Sequence, residues 1–232
     1  MGSRAVGPLD KTQTVDEDNE VFLSMGGSTT LNQEGLRMRW NRASWLLAGW
    51  LVCTPTAWAT TYTIDPAHST VSFKIRHLFS WVQGTFNEFE GTFDYTMDHP
   101  DTWKASAVIQ AASIDTRVTD RDTHLRSADF FDIERYPTIT FTSTGVSEVT
   151  ATSAQLPGLL TIHGVEQPVM LDVAIHGVGQ DPWGKTRSGF TATTTINRKD
   201  FGLTWNKVLE TGQLLVGEEV EITIEVEGIA QE

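Results

Sequence analysis

From residue 61 onward the chain alternates apolar and polar side chains with a period of two. In "TVSFKIRH" (70–77), Val71, Phe73, Ile75 and His77 fall on one side, and Ser72, Lys74 and Arg76 on the other. "EVEITIEVEG" (219–228) sets Val220, Ile222, Ile224 and Val226 against Glu219, Glu221, Thr223 and Glu225. "PTITFTSTG" (137–145), "PVMLDVAIHG" (168–177) and "GFTATTTIN" (189–197) repeat the pattern, the last with Phe190, Ala192, Thr194 and Ile196 on one side. Successive strand side chains point to opposite faces, so each segment has one face to bury and one to wet.

The pattern predicts strands near 61–65, 69–77, 83–95, 104–114, 137–147, 154–163, 167–177, 186–197 and 218–229, about eight if the first two are one bent strand. Glycines punctuate them, among them Gly84, Gly91, Gly145, Gly164, Gly177, Gly184, Gly202 and Gly217. No long stretch has helical periodicity. Many antiparallel strands in one domain mean an all-β barrel or sandwich. Two segments break the alternation. "TDRDTHLRS" (119–127) reads as a short helix with Thr119 as N-cap and Asp122 three residues on. Its Arg121, His124 and Leu125 share a face, and Asp122 and Arg126 are spaced for an ion pair. "NRKDFGLTW" (197–205) reads as a turn or single helical turn ended by Gly202.

The first sixty residues have a different character. In "RMRWNRASWLLAGWLVCTPTAWA" (37–59), Arg37, Arg39 and Arg42 precede the apolar stretch Trp45–Val52, and Ala57-Trp58-Ala59 supplies a small-residue cleavage site. That is the layout of a secretory signal peptide. The apolar stretch is far short of the roughly 20 residues that span a bilayer, which weighs against a retained anchor. Cys53 invites a lipoprotein reading, but Val52 stands where a small residue normally precedes a lipidated cysteine. The expected organisation is therefore an extension at 1–36, a signal at 37–59 cleaved after Ala59, and one domain at 60–232, exported to the periplasm. The exported part has no cysteine, so no disulfide stabilises it.

Charge narrows the partners. The chain carries a formal −13 at pH 7, and residues 60–232 hold 24 acidic against 12 basic side chains. Such a surface repels phosphate backbones and argues against nucleic acid. The glutamate row of 219–225 and the threonine rows also argue against an integral outer-membrane barrel, whose outer band is apolar.

Six blocks together resemble the YceI-like family of exported polyisoprenoid-binding proteins: "IDPAHSTVSFKIRH" (64–77), "GTFNEFEGTF" (84–93), "SIDTRVTDRDTHLRSADFFDIERYPTITF" (113–141), "GLLTIHGVEQPV" (158–169), "INRKDFGLTW" (196–205) and "VGEEVEITIEVEG" (216–228). The resemblance covers residues 61–229. It implies an extended lipocalin-like antiparallel barrel, a homodimer, and a long apolar cavity for an isoprenoid or a similar amphiphile such as a quinone or fatty acyl compound. It implies no cofactor.

An eight-stranded barrel is either filled by its own side chains or holds one slender ligand, so the size of the inward residues decides. Ala105, Ala107, Ala111, Ala112, Ala174, Ala192 and the Thr191–Thr195 run leave a tunnel only where they face inward. The expected lining is Phe73, Ile75, Phe86, Phe89, Phe93, Phe130, Phe131, Phe141, Leu160, Phe190, Phe201 and Trp205. Arg121 and His124 form the expected polar mouth. There they either meet a ligand head, such as a quinone carbonyl or a phosphate, or pin the helical segment to the barrel wall. Catalysis is the rival reading, from acid–base pairs such as His68 with Asp65 or His124 with Asp122. Against it, the chain has no G-x-S-x-G elbow and no H-E-x-x-H. No histidine pair has metal-ligand spacing.

Overall fold

The computed structural model describes residues 59–231. The expectations for residues 1–36 and for the signal segment as far as Trp58, Cys53 included, lie outside the described residues. The elements are β1 (Thr60–Ile64), β2 (Thr70–His77), β3 (Ser80–Phe86), β4 (Phe89–Tyr95), β5 (Lys104–Gln110), β6 (Ile114–Asp115), α1 (Thr119–Arg126), β7 (Thr138–Ser143), β8 (Ser153–Ile162), β9 (Val165–Gln180), β10 (Thr186–Asn197) and β11 (Val216–Ala230).

All ladders are antiparallel. Eight strands close a ring in the order β1-β4-β5-β7-β8-β9-β10-β11, sealed by β1 against β11. Closure pairs the edges of the eight-strand ring, the usual solution for an all-β chain without a second sheet to pack against, and leaves β6 as the one-sided end of the extension. The first staves are long and bent. β1 and β2 follow each other along one edge of β11, with Ile64 opposite Gly228 and Thr70 opposite Glu225. β4 and β3 continue the next stave, and β5 and β6 the third. The first two predicted strands are thus one stave with a break at 65–69. The barrel is extended because β2, β3 and β6 carry three staves past the closed ring.

Local sequence accounts for the hairpins. Between β8 and β9, His163 and Gly164 both take positive φ (53° and 73°), which gives the two-residue turn that matches strand twist and pairs Ile162 with Val165. The "NRKDFG" segment forms a short 3-10 turn at Arg198–Phe201. The Asn197 side chain accepts from the Lys199 amide, and Gly202 ends the turn in the left-handed region at φ 77°.

The helix is where predicted, but its capping is not. Val118 occupies the N-cap without a side-chain bond. Asp122 is buried and accepts from the backbone N–H and the hydroxyl of Thr116, tying the helix to the end of β6. Arg126 does not pair with Asp122; it donates to the carbonyls of Ala112 and Ile114. Both side chains reach back to the preceding segment because its backbone leaves the sheet there and needs partners.

The predicted inward faces are the buried ones. Leu171, Ile175, Ala192 and Ile196 are buried, while Met170, Asp172, Ala174 and His176 are exposed. Two clusters divide the interior. One, around Val71, Phe86, Ile109, Ile114, Ile139, Leu160, Ile162, Ile196, Phe201 and Leu203, lies toward the helix. The other joins Tyr62, Phe93, Tyr95, Trp103, Ala154 and Ile175.

Candidate functional site: an apolar cavity with a buried arginine

The second cluster is solid. Tyr62 stacks on Phe93 at 5.0 Å, and Phe190 meets Phe93 and Tyr95 edge-on at 5.2 and 4.9 Å. Trp103 lies 4.7 Å from Tyr95 and donates its indole N–H to the Thr96 carbonyl. Burial raises the phenol pKa of both tyrosines. This aromatic plug fills one end of the barrel.

The other end is hollow. A cavity of about 480 Å³ runs between the helix and the plug, well inside the roughly 300–1,000 Å³ range of small-molecule sites. Its wall is almost wholly apolar. Nine of the twelve expected lining residues border it: Phe73, Ile75, Phe86, Phe89, Phe130, Phe131, Phe141, Leu160 and Trp205. Three do not. Phe93 and Phe190 belong to the plug, and Phe201, 2 % exposed, is packed into the first cluster beneath its 3-10 turn. Alternation put Phe190 on one face with Ala192 and Ile196, which are buried, but it carries no information about depth along the barrel.

Small residues make the room at few places. Ala107 and Thr194 border the cavity, whereas Ala174 and Ala112 face outward and Ala105 packs against the plug. Two lining rings, Phe73 and Phe141, lie against glycines of the wall, Gly84 and Gly158.

Arg121, His124 and Leu125, placed on one helix face by their spacing, all border the cavity. The two polar groups are already committed within the chain. Arg121 donates through Nε to the Thr116 hydroxyl and through Nη2 to the Thr116 carbonyl, both at 2.7 Å. His124 Nε2 lies 2.9 Å from an Asp129 carboxylate oxygen. Its ring packs edge-on against Phe130 and Trp205 at 5.1 and 4.9 Å, forming a collar with them. The Ser127 hydroxyl donates to the His124 backbone carbonyl at 2.8 Å, and the His124 ring is hydrogen-bonded to Asp129.

Arg198 is the residue that sequence reasoning missed. It continues the inward parity of Thr194 and Ile196 out of β10, borders the cavity, and is 3 % exposed. A charged residue in phase with an apolar strand face was the available signal. Nε donates to the Gly217 carbonyl at 2.8 Å, and Nη1 to the carbonyls of Leu203 and Trp205. Nη2 has no partner among the described residues. Burial lowers the pKa of the guanidinium.

A separate ion-pair network lies where β1 passes into β2. Arg187 contacts Asp65 at 2.8 Å, Asp181 at 2.8 Å and Glu227 at 2.5 Å. Asp65 also bonds His68 at 2.8 Å, and its carboxyl is held at about 2, first by Arg187 and then by His68. Asp65, His68 and Glu227 present ligand-type atoms within 4.8 Å of one another. The Arg187 guanidinium already bridges the two carboxylates and supplies the positive charge a metal would bring.

A closed eight-stranded antiparallel barrel with an apolar chamber beneath a short helix defines a barrel of the lipocalin-like kind. The YceI-like domain family matches residues 62–228, and the chain belongs to that family. Protein YceI of Salmonella arizonae and that of Salmonella paratyphi B are each 40 % identical over 197 residues, covering 84 % of this chain and all of theirs. The crystal structure of the Campylobacter jejuni YCEI protein is similar at 31 % identity and a TM-score of 0.59, over 68 % of this chain and 90 % of that one. A polyisoprenoid binding domain from Saccharophagus degradans shares the fold at 16 % identity and a TM-score of 0.56, over 74 % of this chain and 99 % of that one.

Proposed function

We propose that the protein binds an isoprenoid or a similar single-chain amphiphile of polyprenyl, quinone or fatty acyl type, and carries or stores it in the cell envelope. The observation that carries this reading is the apolar cavity of about 480 Å³, stoppered at one end by the aromatic plug and bordered at the other by α1. A slender chain suits such a chamber. Each buried CH₂ contributes about 0.8 kcal/mol, so one five-carbon unit adds about 3–4 kcal/mol before ordering costs. Affinity of that origin needs no catalytic group, and binding without turnover is part of the proposal. The polyisoprenoid binding domain with the same fold supports the ligand class. Export to the periplasm through the segment 37–59 and assembly as a homodimer complete the reading. The exposed Phe79 and Trp81 on the β2–β3 hairpin give a second copy an apolar surface to meet.

Native mass spectrometry of protein purified from its own envelope, followed by lipid extraction, tests the proposal. A co-purifying species with a long apolar tail is the expected result, and the same spectra report the oligomeric state. Protein that is empty after purification, and that takes up neither geranylgeraniol nor hexadecanol on titration, would overturn it.

A further inference from the structure

Apolar side chains that a fold leaves exposed together mark a contact surface. At the hollow end of the barrel the β2–β3 hairpin turns through Leu78 and Phe79, with His77 paired to Ser80. Leu78 takes φ 51°, in the left-handed region that favours glycine at the first position of such a turn. A leucine there strains the backbone, and strain of this kind gathers where function keeps it. What the turn presents is Phe79, 85 % exposed, followed by Trp81 at 47 %. The Leu78 amide donates to the Leu215 carbonyl and fastens the hairpin to the segment 207–214. Val208 and Leu214 in that segment bridge to each other, and both are exposed. His77, next to Leu78, and Leu215 itself border the cavity. The exposed apolar tip therefore continues the chamber lining outward.

Charge decides what the tip meets. Lys74 Nζ and the Arg76 guanidinium carbon lie 5.2 and 5.6 Å from the Trp81 ring centroid, and Arg76 Nε donates to the Leu78 carbonyl. An aromatic ring held among cations suits the headgroup layer of a bilayer. Lys74 is paired with Glu221, whereas Arg76 and Lys207 are in no ion pair among the described residues. Glu210 is the one acidic residue of 207–214. The chain as a whole carries a formal −13, so an anionic surface repels most of it and turns this cationic end toward itself. A second copy needs more surface than the tip provides, since a stable protein interface uses about 20–30 residues a side. We propose that Phe79, Trp81, Val208 and Leu214 dock the hollow end of the barrel on a lipid bilayer with anionic headgroups, so that a tail passes between membrane and chamber without crossing water. The transfer rests on the cavity being a lipid site; the docking does not.

The test is flotation of protein purified from its envelope with vesicles of phosphatidylcholine, alone or mixed with phosphatidylglycerol in equal parts. The wild-type protein is expected to float with the mixed vesicles and less with the neutral ones. Phe79→Asp should weaken that binding about tenfold or more, the order expected when one apolar aromatic contact is lost. Trp183→Ser removes a comparably exposed aromatic from the β9–β10 hairpin at the opposite end and should leave binding unchanged. Both positions are exposed, so circular dichroism should show folded protein in each variant. Wild-type protein that floats with neither vesicle, or equally with both, would overturn the docking, and so would Phe79→Asp that floats like the wild type. A dimer in sedimentation velocity that Phe79→Asp dissociates, in a wild type that does not float, would assign the tip to a second copy and overturn it as well. Uptake of geranylgeraniol is measured separately. Docking without uptake would remove the cavity reading alone, and uptake without docking would remove the membrane contact alone.

Discussion

The ring of Phe141 lies over Gly158, so close that a Cβ built on Gly158 would overlap the ring carbons. Phe141 is on β7 and Gly158 on β8, where the register pairs Phe141 with Leu160 and Ser143 with Gly158. The missing side chain lets the ring lie flat against the barrel wall instead of standing up into the lumen. Gly158 is therefore a cavity-shaping residue although it contributes no side chain to the lining.

Gly158→Ala is expected to push Phe141 inward. Over-packing of this kind costs about 1–3 kcal/mol, and here it also occupies ligand space. Urea denaturation reports the first effect and titration with geranylgeraniol the second. Lower stability together with weaker binding is the expected pair. Unchanged affinity in a destabilised protein would mean that the ring moved elsewhere.

The Asp65–Arg187 contact at 2.8 Å makes a pH prediction. The Asp65 carboxyl is lowered from 3.8 to about 2, chiefly by Arg187 and next by His68. A carboxylate with a depressed folded-state pKa contributes stability above its unfolded value, and that contribution is lost as the pH falls through the folded one. The wild-type protein should thus lose stability between about pH 5 and pH 2 more steeply than Asp65→Asn, which lacks the titration. Asp181 and Glu218 are lowered too, so the variant keeps a residual slope. Urea midpoints against pH for both proteins check this, and parallel curves would exclude Asp65 as a source of the acid sensitivity.

Alternation along the chain made most of this architecture readable. Val71, Phe73, Ile75 and His77 border one chamber as their parity required, and so do Val220, Ile222, Ile224 and Val226. The bent first stave followed from the strand count, nine segments for about eight strands. What parity cannot report is position along the barrel axis, which is why Phe93 and Phe190 share the inward direction of Phe141 yet plug the far end. Nor can local spacing reveal which polar partners lie closer than an intrahelical one. Asp122 and Arg126 have ideal i, i+4 spacing, but Thr116 and the Ala112 and Ile114 carbonyls take them. Arg198 was passed over because it sits in a turn-like stretch, "NRKDFG", whose charges look solvent-exposed until the β10 parity is extended by one step.

Trp205 offers a direct report on occupancy. It borders the cavity in contact with His124 and Phe130, whereas Trp103 is buried in the plug and Trp183 is 81 % exposed. A tail entering the chamber should change the emission of Trp205 and leave that of Trp103 and Trp183 nearly constant. Titration with geranylgeraniol is expected to give a saturable spectral change that is mostly lost in Trp205→Phe. A change of equal size in that variant would place the ligand somewhere other than beneath the helix.

Phe190 meets Phe93 and Tyr95 edge-on inside the plug, which is expected to set how far a tail can reach. Phe190 is partly buried, so Phe190→Ala should cost less than the about 3–5 kcal/mol typical of deleting a fully buried aromatic ring. It should also extend the chamber toward Tyr95 and Trp103. Affinity for longer tails would then rise relative to shorter ones, while the wild type stops gaining once the tail meets the plug. Comparing the C15, C20 and longer prenyl alcohols on both proteins measures this directly. If the two proteins share one chain-length profile, the far wall of the chamber is not where Phe190 stands, and the tail must run toward the helix instead.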